Sequence, residues 1–396
     1  MIISVFPHEL FDIVLDFLHD DKRALGRISL VSTSWAISAR HHLFHKLEVK
    51  TLSEVYDFII GDNRHHLSPY VHVLTIRFTR TEPMFSFLLD QYASLLQEFI
   101  NLQQLDMPSM RLRYGIIKHL HFRALRTLHL SYNWIGNSEV VGEARELNSL
   151  WRVLSLFSHV DDLHLHSTKS ILLHNPSEPP IDFTSKCSVD ALTVDDRISG
   201  VITRLLVPTI DLLNVQTLSV VAPLQLYMPS LAQFLNMVPR VRDLTIHLPA
   251  KGSPDNPEPE WKLLRLGGIL PLLSAFTLRF APDGWGVEDR ILVPIEILST
   301  ARESPSLQAI SIEPVLSQRV WLNKSTSALT DIDWARVANY LLQFKDLKTV
   351  TIRVRHRSHM STYRTQVVKI PPHIKGLVEE GFSTFHSRVK LVVSDT

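Results

Sequence analysis

One phrase returns along this chain and constrains its fold more than any other feature: apolar-x-x-apolar-x-apolar. It stands at Val71 to Ile76, Leu102 to Met107, Leu125 to Leu130, Val160 to Leu165 and Val189 to Val194. It continues at Val215 to Val220, Val241 to Ile246, Leu273 to Leu278, Leu307 to Ile312 and Leu347 to Ile352. Phe44 to Val49 fits the same template, and Arg388 to Val393 reads as a last, capping strand. The central apolar residues are 23 to 40 positions apart, often 26 to 32. The alternation at the end of each phrase is that of a strand with one buried face. Repetition at this period predicts a solenoid, because one unit alone cannot bury its apolar face. Helices are expected between the strands, at Phe85 to Phe99, Leu147 to Phe157, Leu231 to Met237, Ile291 to Ala301 and Trp334 to Phe344. Separate βα units in a closed α/β domain are the competing architecture. A single compact core stops growing near roughly 250–300 residues, whereas a solenoid does not.

The first 47 residues follow a different period. Pro7 suits the first turn of a helix, where its missing N–H costs nothing. After it Leu10, Ile13, Val14, Phe17 and Leu18 recur at helical spacing and share a face. Asp20 and Asp21 can cap a second helix carrying Ala24, Leu25, Ile28 and Val31, and Ser32 to Ser34 a third with Trp35, Ala39, His42 and Leu43. Three short helices bury too little to stand alone, so they must pack on the following domain, on a partner, or on both.

These residues resemble an F-box. The resemblance is carried by Phe6-Pro7-His8-Glu9-Leu10, Ile13, Leu18, then Leu30-Val31-Ser32-Thr33-Ser34-Trp35, closing with Arg40-His41-His42-Leu43-Phe44. Phe6 departs from the family's usual Leu and keeps an apolar anchor. One strand and one helix per repeat similarly resembles the leucine-rich-repeat horseshoe. Its best copy holds Leu125, Leu128, Leu130 and Asn133; other copies mostly lack that Asn, as in an irregular repeat of fungal type. The resemblance implies an α/β chain with a three-helix F-box at 1–47 and a leucine-rich-repeat-like solenoid with a C-terminal cap at 48–396. It implies binding to an SKP-type adaptor through Phe6, Pro7, Leu10, Ile13, Val14, Leu18, Leu30, Val31 and Trp35, and through it to a cullin–RING ubiquitin ligase. The repeats would then bind a protein substrate. The alternative is a repeat scaffold with no part in ubiquitin transfer.

Composition narrows the partners. Lys plus Arg is 41 and Asp plus Glu 40, so nothing asks for nucleic acid or an acidic membrane surface. No apolar run approaches the roughly 18 residues of a membrane span, and no signal peptide is visible. The one cysteine, Cys187, excludes an internal disulfide and fits the reducing cytoplasm or nucleus. Prolines mark loops at Pro176 to Pro180 and Pro249 to Glu260, and Gly284-Trp285-Gly286 marks a third at Ala281 to Asp289.

On each strand the residue between the last two apolar positions faces away from the core: Thr75, Asp106, His129, His164, Thr193, Ser219, Thr245, Thr277, Ser311 and Thr351. Two residues later the column is more varied and includes His166, Val221, His247, Arg279, Glu313 and Arg353, as a surface that selects a partner would be. From Leu347 to Val378 the chain has cations and no carboxylate, with Arg353, Arg355 and Arg357 alternating. Arginine forks suit carboxylate or phosphate. Arg279, Glu313, Arg353, Arg355 and Arg357 are therefore the candidate substrate contacts, against the plainer reading of a solvated strand and loop.

No catalytic residue, cofactor or metal is expected. The phosphate loop, the Gly-x-Ser-x-Gly and His-Glu-x-x-His phrases and Cys-x-x-Cys are all absent from the sequence. Histidines cluster at His41, His42 and His45, at His65 and His66, and at His164 and His166, but no pair joins another at a recognised ligand spacing. Cys187 as a ubiquitin-transfer thiol has no flanking motif, and a buried small side chain is the simpler reading.

Overall fold

The computed structural model describes residues 8–55, 57–58, 61, 63–76, 98–108, 125–132, 154, 156–167, 186–194, 206–207, 209–221, 228–248, 264–282, 289–317, 327–357, 365–385 and 389–394. Phe6, Pro7 and the expected loops at 176–180 and 249–260 lie outside these, with most of the expected helices at 85–99 and 147–157. The chain divides into two compact units, Met1–Lys169 with Leu173–Ser188, and Ser170–Leu172 with Val189–Thr396.

The first unit opens with α1 (His8–Phe17), α2 (Lys22–Ile28) and α3 (Thr33–Phe44). Asp21 caps α2, its carboxylate accepting from the N–H groups of Arg23 and Ala24 at 3.1 and 3.0 Å. The Ser32 hydroxyl caps α3 by accepting from the Trp35 N–H at 3.2 Å. Phe11, Leu15 and Leu25 fill the space between the helices, with Leu18, Ile28, Trp35 and Leu43 packed around them. Strands β1 (Lys46–Val49), β2 (Val73–Ile76), β3 (Gln104–Pro108), β4 (Leu125–Tyr132) and β5 (His159–Ser167) follow, with the short helices α4 (Leu52–Val55) and α5 (Asn63–Leu67) between β1 and β2. The strands lie parallel and in sequential order. Their register aligns Leu47, Leu74, Leu105, Leu128 and Leu163 in one row, so the central position of each phrase stacks on the next. Leu74, Leu105, Leu128 and Leu163 are wholly buried.

The second unit repeats this plan. Its strands are β6 (Cys187–Val194, from Val189 on), β8 (Thr217–Val221), β9 (Asp243–Leu248), β10 (Ala275–Phe280), β11 (Ala309–Leu316), β12 (Thr349–Ile352) and β15 (Lys390–Val393), parallel and side by side in that order. The two-residue β7 (Ile210–Asp211) pairs with β6. Leu192, Leu218, Leu244, Phe276, Ile310, Val350 and Leu391 share one row, and Val194, Val220, Ile246, Leu278, Ile312, Ile352 and Val393 a second. Helices α6 (Met228–Asn236), α7 (Leu266–Ile269), α8 (Asp289–Ala301), α9 (Ser327–Thr330), α10 (Trp334–Leu341) and α11 (Pro372–Gly381) fall between strands, as the parallel connection requires. They bury Phe234, Leu298, Leu341 and Val378 among others.

Near the C-terminus the pattern breaks. Arg353, Arg355 and Arg357 do not continue one strand. β12 stops at Ile352, and β13 (Arg355–Arg357) pairs with Val315 and Leu316 of β11 on one side. On the other it pairs antiparallel with β14 (Thr365–Val367). Val354, wholly buried, sits at the break. The mixed α/β architecture is as expected, with parallel strands where the phrase placed them.

The two faces of the strands should respond differently to truncation. Leu128→Ala, Leu163→Ala and Leu218→Ala each remove a wholly buried side chain and should destabilise by about 2–5 kcal/mol. Thr193→Ala and Thr245→Ala, half-buried on the opposite face, should cost about 0.5 kcal/mol or less. Urea denaturation of the five variants decides; equal losses in both groups would reverse the assignment of faces.

Candidate functional site

Helix α1 has two apolar faces. The inner one is Phe11, Leu15 and Leu18, and Phe11 stacks on Trp35 with ring centroids 4.4 Å apart. The outer one is Leu10, Ile13, Val14 and Phe17, at the i, i+3, i+4, i+7 spacing that places them together. All four are exposed, Phe17 by 84%, and Leu30 (86%), Val31 and Ile37 add further exposed apolar surface on the same helical segment. Since Phe11, Leu15 and Leu25 already fill the helical interior, this outer face is not core. A row of large apolar side chains left in water is a candidate interaction surface. Of the residues assigned to adaptor contact, Leu10, Ile13, Val14, Leu30 and Val31 are presented to solvent. Leu18 and Trp35 are half-buried and hold the helices together. Periodicity mixes the two faces: it groups Leu18 with the outer row and does not single out Phe11 as the inner counterpart.

The second candidate region centres on Glu313 of β11, whose side chain is 2% exposed. One carboxylate oxygen accepts from the Nε of Arg279 and from the Nε of Arg355, both at 2.6 Å. The other lies 3.6 Å from Nη1 of Arg353 and 3.4 Å from the Ser311 hydroxyl. Register explains the meeting: Arg279 sits directly opposite Glu313. The Arg353 N–H donates to the Ile312 carbonyl at 3.1 Å. Burial pushes the Glu313 carboxyl up, but the Arg279 and Arg355 charges and hydrogen bonds outweigh it and hold the group below its ordinary value. The cation-only stretch after Leu347 therefore draws its counter-charge from the preceding repeat. Arg279 and Arg355 are committed to that carboxylate. Arg353 is the more available: 38% of its side chain is exposed, and its Nη1 lies 3.6 Å from Glu313 where Arg279 and Arg355 approach to 2.6 Å. The Arg357 side chain lies outside what is described.

Two further groups bear on chemistry. Cys187 is buried and its thiol is pushed up to about 12 by desolvation, so it is protonated at neutral pH and unsuited to nucleophilic transfer. His164 does not pair with His166; it bonds to Asp162 at 2.8 Å and its ring lies 4.2 Å from that of His129. The structure does bring His41 and His45 together with His72, a grouping invisible in the sequence because His72 comes from the next strand's entry. Burial first, and neighbouring imidazoles second, hold His45 and His72 below the ordinary histidine value.

No protein-family profile matches the chain, and no curated protein does. Among solved structures, a protein from Bacteroides fragilis is 11% identical with a TM-score of 0.35, the match covering 86% of this chain and 69% of that one. Another, from Anabaena variabilis and provisionally named a sugar phosphate isomerase/epimerase, is 8% identical with a TM-score of 0.23, covering 86% of this chain and 97% of that one. Likenesses this slight carry nothing about function. Among the described residues no helix is long and apolar enough to cross a membrane.

Removing the Glu313 charge should be costly, because it leaves its arginines facing one another. Glu313→Gln should lose about 3–5 kcal/mol in urea denaturation at neutral pH. The folded carboxyl titrates below its unfolded value of 4.5, so its stabilisation is complete above that pH and fades as pH falls through the folded value. Wild-type and Gln stabilities should therefore converge in acid; curves that stay parallel would show that the ion cluster does not set this acid dependence.

Proposed function

We propose that this chain is the substrate-receptor subunit of an SKP–cullin–F-box ubiquitin ligase, with residues 1–47 as the F-box and the repeats as a leucine-rich-repeat-like solenoid. The observation that carries the reading is the outer face of α1. Leu10, Ile13, Val14 and Phe17 are exposed although the helices already possess a complete interior of their own. Leu10, Ile13 and Val14 are positions at which the resemblance puts adaptor contact, and Phe17 extends the same row. The adaptor removes this apolar surface from water, which supplies the driving force for docking.

Such a receptor is not itself an enzyme. It raises the effective concentration of substrate lysines beside a ubiquitin donor held by the rest of the ligase. The protonated, buried Cys187 is consistent with a chain that carries no ubiquitin covalently. Substrate is assigned to the polar face of the later strands, where the partly exposed Arg353 is the side chain best placed to meet an acidic or phosphorylated group. Reversing Arg353, Arg355 and Arg357 together is a poor probe of that contact, because Arg355 also holds Glu313. Arg353→Ala alone should weaken substrate capture and leave the fold intact.

Adaptor capture tests the reading. Leu10→Ala with Ile13→Ala removes two exposed side chains and should leave the helices folded by circular dichroism. If each truncation costs about 2 kcal/mol at a docked interface, binding to an SKP-type adaptor should fall on the order of a thousandfold. A wild-type chain that fails to bind the adaptor, or a double variant that binds it undiminished, would overturn the receptor assignment and favour a scaffold outside ubiquitin transfer.

A further inference from the structure

We propose that His41, His45 and His72 form a zinc(II) site in the first unit, with three imidazole nitrogens as ligands and a fourth position open to water. The three residues each offer one ring nitrogen, and these lie within 4.8 Å of one another. Two backbone features bring them together. His41 is on the last turn of α3 and His45 is its C-cap, so the i, i+4 spacing sets both rings on one side of the helix. His72 is fixed beside them because its own N–H and that of Val73 both donate to the His45 carbonyl, at 3.0 and 2.9 Å. The ring centroids are 4.7 Å apart for His45 and His72, 5.3 Å for His41 and His72, and 5.9 Å for His41 and His45.

A tetrahedral zinc with Zn–N of about 2.0–2.1 Å holds its ligand nitrogens about 3.3 Å apart. The observed spread requires only a modest closure, and His41 and His45 are exposed, so their rings are free to turn. His72 supplies the second, independent observation: its Nδ1 is buried and has no hydrogen-bond partner among the described residues. A cation ligated through that nitrogen would satisfy it. The donor set selects the cation. Three imidazoles without carboxylate suit zinc and its borderline neighbours and do not suit calcium or magnesium, which take oxygen ligands. His42 is not a fourth ligand; it is turned toward Asp16, 3.7 Å away. The ion would fasten the end of α3 to the entry of β2 through side chains, beside the backbone bonds that already join them. This inference stands independently of the receptor reading.

The test is zinc binding by the untagged full-length chain, followed by competition with a chromophoric indicator and by the visible spectrum of the cobalt(II) form. One equivalent should bind at micromolar protein, cobalt(II) should show tetrahedral absorption, and zinc should raise the thermal midpoint. Loss of a direct ligand should cost at least as much as loss of an outer-shell partner, about tenfold or more in affinity. His41→Ala and His72→Ala should both show that loss, and His66→Ala, at an exposed position of α5, should not. His41 is exposed, so its variant remains folded and informative even if His72→Ala does not. No binding with zinc equimolar to micromolar protein would overturn the proposal, as would folded His41→Ala binding zinc as tightly as the wild type.

Discussion

Two successive N–H groups donated to one carbonyl set the start of strand after strand. The His45 carbonyl accepts from His72 and Val73, that of His72 from Gln103 and Gln104, and that of Gln103 from Arg126 and Thr127. In the second unit Gln216 accepts from Arg242 and Asp243, Arg242 from Ser274 and Ala275, Ser274 from Gln308 and Ala309, and Gln308 from Lys348 and Thr349. This double acceptor locks the register before the strand begins. A slip of one residue would turn every apolar side chain in that strand to the polar face and carry Thr75 or Thr245 into the core. The rows of buried leucine, isoleucine and valine follow from that lock, and so do the cross-strand meetings of polar residues on the opposite face.

The Glu313 cluster and the His41–His45–His72 cluster both follow from that register. Arg279 meets Glu313 because adjacent phrases are in register, and Arg355 reaches the same carboxylate because β13 pairs with the far end of β11. His72 meets His41 and His45 because the first double acceptor is the carbonyl of His45 itself. The helical segment obeys a different rule. With Phe11 stacked on Trp35, its interior is complete, and the outer apolar row of α1 has no further use inside the segment. That surplus, more than the helices as such, supports the proposed docking role.

Much of the strand framework was legible because burial imposes a short, strict alternation on each phrase. Leu74, Leu128 and Leu218 could be placed in the core from their spacing alone. The caps at Asp21 and Ser32 were legible for a similar reason, since capping is local. What could not be read were contacts set by register between distant segments. Nothing near Arg355 in the chain announces Glu313, 42 positions earlier, and nothing near His41 announces His72. The alternation of Arg353, Arg355 and Arg357 suggested one continuous strand, but it gave no sign that the chain leaves β12 after Ile352 and turns into an antiparallel pair. Nor could periodicity tell the outer row of α1 from its inner one, because both recur at helical spacing.

The receptor account makes one central claim, that the outer face of α1 is where a partner seats. Hydrogen exchange followed by mass spectrometry, on the chain alone and with an SKP-type adaptor, tests it directly. The account predicts slowed exchange in peptides spanning Leu10 to Phe17 and Leu30 to Ile37, with exchange at Glu313 and its neighbouring strands unchanged. Protection confined to the strands, with α1 exchanging as in the free chain, would contradict it.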